Sequence, residues 1–297
     1  MAFQMGNQNV QIQDVHGSRI QITYEGRARV VPLEPAVVPV GARVQSPARL
    51  VRARSGVVPY LARKGLLDEL EDWLGVSGPF AGCVIGGRGG CGKTRLGVEL
   101  CKHAKEREWL CGLLSRIVDP AALEELALAP TPRLVVVDYA ESRAEQLEML
   151  LPLLMAKATV EHPVRVLLLV RAAPRKTEDW TEALQGRGDW LDAVLGECDV
   201  RVLEDMPLQK SEREALFKAA ASTFAGRVEP RVAPSAPPEV LGEEVFGSPL
   251  LVVVAAYLAV HGDTPLPSTK TELLEELLRH EQRYWRESGV GLFSDDV

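Results

Sequence analysis

The sequence predicts an α/β fold: a parallel sheet with flanking helices, followed by a small helical domain and preceded by a β-hairpin. Three observations predict it. Residues 86–96 read Gly-Gly-Arg-Gly-Gly-Cys-Gly-Lys-Thr-Arg-Leu, and Gly87, Gly92, Lys93 and Thr94 fill the fixed positions of G-x-x-x-x-G-K-[ST]. Short unbroken apolar runs alternate with helical segments on both sides of that loop, as in sheets buried on both faces. From Pro207 onward the pattern turns wholly helical.

The elements follow in order. In residues 1–25, Val10, Ile12, Ile20, Ile22 and Tyr24 alternate with Gln11, Gln13, Gln21 and Thr23 around His16-Gly17-Ser18. That period of two around a glycine turn predicts a hairpin. A lone hairpin is barely stable, so this one packs on its own domain, docks on a partner, or stacks with copies as a cross-β zipper. Packing or docking is the favoured outcome. Residues 26–56 read as a linker: Pro32, Pro35, Pro39 and Pro47 keep it extended, and Arg43, Arg49, Arg52 and Arg54 make it basic. Such a linker is solvated or touches an acidic lipid or nucleic acid.

Residues 57–206 form the expected phosphate-loop domain. Leu66, Leu67, Leu70, Trp73 and Leu74 have helical spacing. Ala81–Ile85 predicts the strand before the loop, and Arg95–His103 the helix after it. Further strands are expected at 110–117, 133–138, 164–171 and 200–203, with a helix over 144–157. Together they predict a doubly wound domain whose ligands sit beyond the carboxyl ends of the strands. In the helical domain, residues 207–297, Ser211 and Glu214 predict a capping box. Pro249 suits the first turn of a helix running to Val260. Leu273, Leu274, Leu277, Leu278 and Trp285 mark a last amphipathic helix.

Composition narrows the function. The chain has 297 residues, 46% of them hydrophobic, enough for a main domain and a smaller one. Its net charge of −7 does not indicate a large nucleic-acid surface. Five scattered cysteines form no C-x-x-C pair, which fits a reducing cytoplasm. The longest apolar run, residues 249–260, is too short to span a bilayer, and no secretory signal is visible. Abundant Arg, Ala, Val, Leu and Pro with asparagine only at Asn7 and Asn9 suggests a GC-rich, bacterial genome.

The chemistry starts at the loop. Gly87, Gly89, Gly90 and Gly92 let successive N–H groups turn inward around phosphate oxygens, with Arg88, Cys91 and Arg95 as the variable positions. The helix N-terminus adds its free donors and dipole. Lys93 is expected against the β- and γ-phosphates, and Thr94 on Mg²⁺. Asp138, ending an apolar strand, is the expected second Mg²⁺ residue. Glu141, three residues on, orients or deprotonates the attacking water, or else simply favours a helix N-terminus. Arg171 is expected to read the γ-phosphate in preference to forming a surface ion pair. Cys91 is read as a tolerated small residue rather than an oxidation switch. The missing N/TKxD motif argues against guanine specificity, and His261-Gly-Asp263 lies too early for a His-Asp nucleotide sensor.

These motifs in their order resemble the STAND-class ATPases, the NB-ARC and NACHT-like signalling switches. The loop has their G-x-G-G-x-G-K-T-x-L form over residues 87–96. Residues 133–141 look like their Walker B, Leu167–Arg171 like their strand ending in a sensor arginine, and Leu208–Phe217 like the entry to their helical domain. Gly247-Ser-Pro-Leu250 resembles G-L-P-L, whose proline approaches adenine. Val57-Val-Pro-Tyr60 with Leu61-Ala-Arg-Lys64 resembles the adenine-side segment, with Ala62 where glycine is usual. Glu281-Gln-Arg-Tyr-Trp285 is similar to bacterial members.

The resemblance implies an ATP/ADP-binding signal-transduction switch using Mg²⁺, with slow hydrolysis and self-oligomerisation on activation, in bacterial defence or regulation. It also implies Val58, Pro59 and Pro249 beside the adenine. An effector would dock through the N-terminal hairpin, and a C-terminal sensor region or separate ligand would trigger exchange of ADP for ATP. No winged-helix domain or repeat array follows, so the switch is expected to be a short variant or part of a longer one. The alternatives are a kinase-like metabolic enzyme and a nucleotide-binding scaffold without hydrolysis.

Overall fold

In the computed structural model, the described residues are 3–4, 10–15, 19–41, 46–61, 63–171, 199–203, 207–227, 237–262 and 265–289. They divide into two compact units. The first comprises Met1–Val38, Gly65–Gly89 and Lys93–Met206; the second comprises Pro39–Lys64, Gly90–Gly92 and Pro207–Val297.

The first unit contains two sheets. A four-stranded antiparallel sheet runs in sequence order through β1 (Phe3–Gln4), β2 (Gln11–Val15), β3 (Arg19–Tyr24) and β4 (Arg27–Val31). The expected strands of the hairpin are β2 and β3, with Ile12 opposite Ile22. Its turn, His16-Gly17-Ser18, lies outside the described residues.

Residues 27–34 correct the linker reading. Glu25 and Gly26 both take positive φ (50° and 71°), and Tyr24 pairs with Arg27 across them. This is the primed two-residue turn that matches strand twist, so the chain returns as β4. Half-buried Arg29, which pairs with Glu125, and exposed Val30 invert the expected alternation and hide that strand from a hydrophobicity pattern. Next, β5 (Leu33–Glu34) joins the main sheet as an antiparallel strand, Leu33 opposite Leu114.

That main sheet has six strands in the order β10-β6-β9-β8-β7-β5, and all but β5 run parallel. Its strands are β6 (Phe80–Gly86), β7 (Leu110–Leu114), β8 (Arg133–Asp138), β9 (Val164–Val170) and β10 (Asp199–Val202). The described helices of this unit are α2 (Lys64–Leu74), α3 (Lys93–Glu106), α4 (Pro120–Leu128) and α5 (Ala144–Lys157). Every residue of β7 and β9 is buried, as their continuous apolar runs predict.

One strand is shorter than expected. It ends at Leu114, and Ile117 is 92% exposed. The Ser115 N–H donates to Pro32 and Arg143 takes the Leu114 and Ser115 carbonyls, which turns the chain out of the sheet.

Both sheets share one core. Ile12, Ile20, Ile22, Tyr24 and Val31 pack in the same cluster as Leu110, Leu126 and Val135. The apolar face of the N-terminal sheet is therefore filled by its own unit. Gly112 in β7 makes this fit possible: a Cβ there would lie 2.5 Å from the Glu34 carbonyl oxygen and 3.0 Å from Ile20. Gly97 likewise lets α3 approach the sheet, with Val136 at 3.1 Å from the place of its missing Cβ. Two buried arginines brace the loops that lead into strands. Arg133 donates to the carbonyls of Leu126, Ala127 and His162, and Arg165 to those of Val76 and Gly78.

The second unit is helical. Among the described residues it holds α1 (Pro47–Leu50), α6 (Lys210–Ala225), α7 (Pro249–Val260), α8 (Lys270–Gly289) and three short 3-10 turns. Phe217, Phe224, Phe246, Tyr257 and Leu273 form its core. Phe224 meets Tyr257 edge-on at 5.5 Å. Pro249 occupies the first turn of α7, as expected.

The capping-box expectation is corrected by two residues: α6 starts at Lys210, and Glu212 accepts from the Gln209 N–H at 2.7 Å. Leu208 is buried and its N–H donates to Gly247, which pins the chain ahead of Ser211. Glu281 of α8 accepts from Ser46 Oγ (2.9 Å), the Ala48 N–H (2.8 Å) and Trp285 Nε1 (2.7 Å), and so caps α1.

Candidate functional site

The phosphate loop connects β6 to α3, the context that the motif requires. Gly87, Gly90 and Gly92 take φ of 148°, 88° and 100°, values that only glycine adopts without strain. Lys93 begins α3 buried. Its ammonium donates to the Gly87 carbonyl, and to that of Arg88 at 3.0 Å, holding the loop curled. Arg88 and Gly89 are exposed at the tip. Arg95 pairs with Glu99 at 3.4 Å, one turn along the helix.

Thr94 and Asp138 come together although their positions are 44 residues apart. Thr94 Oγ1 donates to Asp138 Oδ2 at 3.0 Å, with β9 lying between the strands that lead to them. Asp138 Oδ1 accepts from the Tyr139 N–H at 3.1 Å. Among the described residues no three His, Cys, Asp or Glu side chains cluster as a metal cage. A hydroxyl beside one carboxylate does fit Mg²⁺, which completes its shell with water and phosphate oxygens.

The chain leaves β8 through a sharp corner. Tyr139 sits in the left-handed region (φ 58°, ψ 46°), which costs a bulky residue about 1 kcal/mol. The 3-10 turn Ala140–Ser142 follows and carries Glu141. Glu141 Oε2 is buried and without a hydrogen-bond partner among the described residues. A carboxylate oxygen in that position is costly unless something arrives to donate to it.

Arginines gather around this corner. Exposed Arg171 lies 4.6 Å from the centre of the Tyr139 ring, and its Nη2 donates to the Tyr139 hydroxyl at 3.2 Å. Arg116 approaches the same ring at 5.7 Å. Arg143 braces the corner through Gln146 and the Leu114 carbonyl. Burial pushes its guanidinium down to about 10, nearby Arg116 acts the same way, and Glu34 and Asp138 oppose both.

In the second unit, Gly90–Gly92 are held by three groups. Ser248 Oγ and the Leu250 N–H donate to the Gly90 carbonyl at 3.0 and 3.3 Å. Arg63 Nη1 donates to the Cys91 carbonyl at 2.7 Å. Arg63 takes φ 55°, and burial lowers its pKa against the opposing pull of Cys91, Tyr60 and Glu212. Pro249 Cγ would be in ordinary contact, 3.5 Å, with a Cβ at Gly92, and Arg63 Nη1 would be tighter at 3.2 Å. Val58 packs half-buried against this unit's core and Pro59 is exposed. His261, part of the discounted His-Asp motif, stacks on Tyr257 at 4.0 Å; Asp263 and Ala62 lie outside the described residues.

Sequence motifs point to Lys93, Thr94, Asp138, Glu141 and Arg171, and the structure places all five in the first unit. They assign no role to Tyr139, which lies inside the Walker-B-like run 133–141, nor to Arg116 or Arg143, which lie outside the motifs. The one local signal for Tyr139 is its position directly after Asp138, where the chain must turn.

No protein-family model matches the chain. No curated protein matches it either. Solved structures resemble it in part. Domain III of the replication initiation protein DnaA from Thermotoga maritima has 14% identity and a TM-score of 0.45, over 75% of this chain and 93% of that one. A mutant of Thermotoga maritima RuvB has 11% identity and a TM-score of 0.43, over 75% and 73%. AMPPCP-bound DnaA from Aquifex aeolicus has 14% identity and a TM-score of 0.42, over 80% and 70%. The assignment of an α/β domain of the P-loop type stands on this chain's own strand order and glycine loop.

Proposed function

We propose that this chain is an ATP/ADP-binding switch of the STAND class, cytoplasmic and bacterial, with slow Mg²⁺-dependent hydrolysis and nucleotide-dependent self-association. The Thr94–Asp138 contact carries the reading. A hydroxyl and a carboxylate 3.0 Å apart, at the end of a glycine loop with a buried lysine, suit a magnesium-bound triphosphate.

The roles divide by chemistry. Loop N–H groups and the start of α3 bind the phosphates. Lys93 neutralises the β- and γ-phosphates, exchanging its loop carbonyls for phosphate oxygens. Thr94 and Asp138 hold Mg²⁺, which supplies charge neutralisation across the phosphates when bound. Glu141 accepts a hydrogen bond from the attacking water through its buried oxygen. Arg171 reads the γ-phosphate, and Val58, Pro59 and Pro249 flank the adenine.

One observation favours a switch over a metabolic enzyme or a passive scaffold. The carbonyls of Gly90 and Cys91 are held by Ser248, Leu250 and Arg63. A phosphate that reshapes Gly90–Gly92 therefore disturbs the first turn of α7. The regulatory output follows only if ATP and ADP favour different states, since equal affinity shifts nothing. The effector at the N-terminal sheet and a trigger from a further sensor belong to the same proposal.

The test is to identify the nucleotide that co-purifies and to measure turnover and molar mass with ADP and with ATP. Bound ADP, turnover well under one per second and a larger assembly with ATP support the switch. Fast turnover with a small acceptor, or no nucleotide binding at all, overturns it.

A further inference from the structure

We propose that Tyr139 is a positioning residue for a pair of arginines, Arg116 and Arg171, which together tell a triphosphate from a diphosphate. This rests on the phosphate-loop reading and adds two residues, Tyr139 and Arg116, to which the motifs assign no role.

Three features converge on Tyr139. Its backbone is left-handed, a conformation that glycine or asparagine adopts more readily, so a tyrosine there needs a use for its ring. That ring carries one guanidinium at 4.6 Å and a second at 5.7 Å, and its hydroxyl accepts from the nearer one. The same residue donates its N–H to Asp138, whose other oxygen meets Thr94. The aromatic seat is thus tied directly to the metal-holding carboxylate.

Two cations on one ring repel each other, and Arg143 adds a third positive charge close by. Such a grouping is relieved by an anion with more than one oxygen to share. A terminal phosphoryl group has that chemistry, and a guanidinium presents paired donors to it. Arg116 and Arg171 come from different strand ends, after β7 and after β9, and both are exposed with long flexible stems. Fixing them on the ring beforehand removes most of the ordering entropy from the binding step.

The experiment compares the affinities of ADP and of the non-hydrolysable analogue AMPPCP by calorimetry. It uses the full chain, Tyr139→Phe, Tyr139→Leu, Arg116→Ala and Arg171→Ala, with melting temperatures taken alongside. Tyr139→Leu and Arg116→Ala should each weaken AMPPCP by about 10-fold while ADP affinity stays within about 2-fold. Tyr139→Phe keeps the ring and should lose no more than about 3-fold. Equal losses for both nucleotides, or no loss for either, overturn the proposal. Lys93→Ala separates this role from that of the phosphate loop itself. If it leaves ADP binding unchanged, the phosphate-loop reading fails; if it abolishes ADP binding, equal losses in the other variants count against Tyr139 alone.

Discussion

Thr94 donates its hydroxyl hydrogen to Asp138 at 3.0 Å, across a sheet in which β9 separates β6 from β8. This contact closes the distance between two motifs that lie 44 residues apart. It makes the proposed metal requirement testable. Asp138→Asn keeps the size and a polar contact with Thr94 but removes the charge. Nucleotide should still bind, with its dependence on Mg²⁺ reduced at least about 10-fold in a magnesium titration. Chelation by EDTA should weaken nucleotide binding to the unmodified chain and barely affect the variant.

Glu141 has a buried oxygen without a partner among the described residues, the proposed acceptor for the attacking water. Glu141→Gln should lower single-turnover hydrolysis by about 10²- to 10⁴-fold with nucleotide affinity unchanged. Unchanged turnover would return Glu141 to a role at the start of its turn.

Ser248 holds the Gly90 carbonyl with its hydroxyl. Ser248→Ala leaves the Leu250 N–H in place and removes one of two donors. ADP affinity should fall by about 3- to 10-fold, the usual worth of one hydrogen bond. Hydrogen exchange should quicken at Gly90–Gly92 and at the start of α7.

Gly112 admits no side chain, because the Glu34 carbonyl oxygen stands 2.5 Å from where its Cβ would be. Gly112→Ala must push β5 off β7. It should cost about 1–3 kcal/mol in denaturant unfolding, and amide protection should be lost at Leu33 and Glu34.

Glu281 accepts three hydrogen bonds that cap α1 and orient Trp285. Glu281→Ala should destabilise the second unit by about 1–2 kcal/mol. Trp285 fluorescence should report the change, with nucleotide affinity unaltered.

Most of the first unit is legible in the sequence because its strands are continuous apolar runs and its loop is a motif. Residues 133–138 are a strand in the structure with the bounds that the apolar run predicts. What escapes detection lacks a local signal. The strand Arg27–Val31 has half-buried Arg29 in line with Val31 and an exposed Val30, and only the Glu25-Gly26 turn and its pairing with β3 create it. The start of α6 differs from expectation because Leu208, anchored by a distant carbonyl, competes with the local Ser211 signal.

The sequence by itself determined the chemistry available: a glycine loop, one lysine, one hydroxyl, two carboxylates and an arginine in a recognisable order. Those depend on residue type and short spacing, which the chain states directly. Only the tertiary structure decided which of them meet. It set Thr94 against Asp138, buried a Glu141 oxygen without a partner among the described residues, and seated Arg116 and Arg171 on one tyrosine ring. Strand order and backbone turns set such distances, and both arise from contacts between residues far apart in the chain.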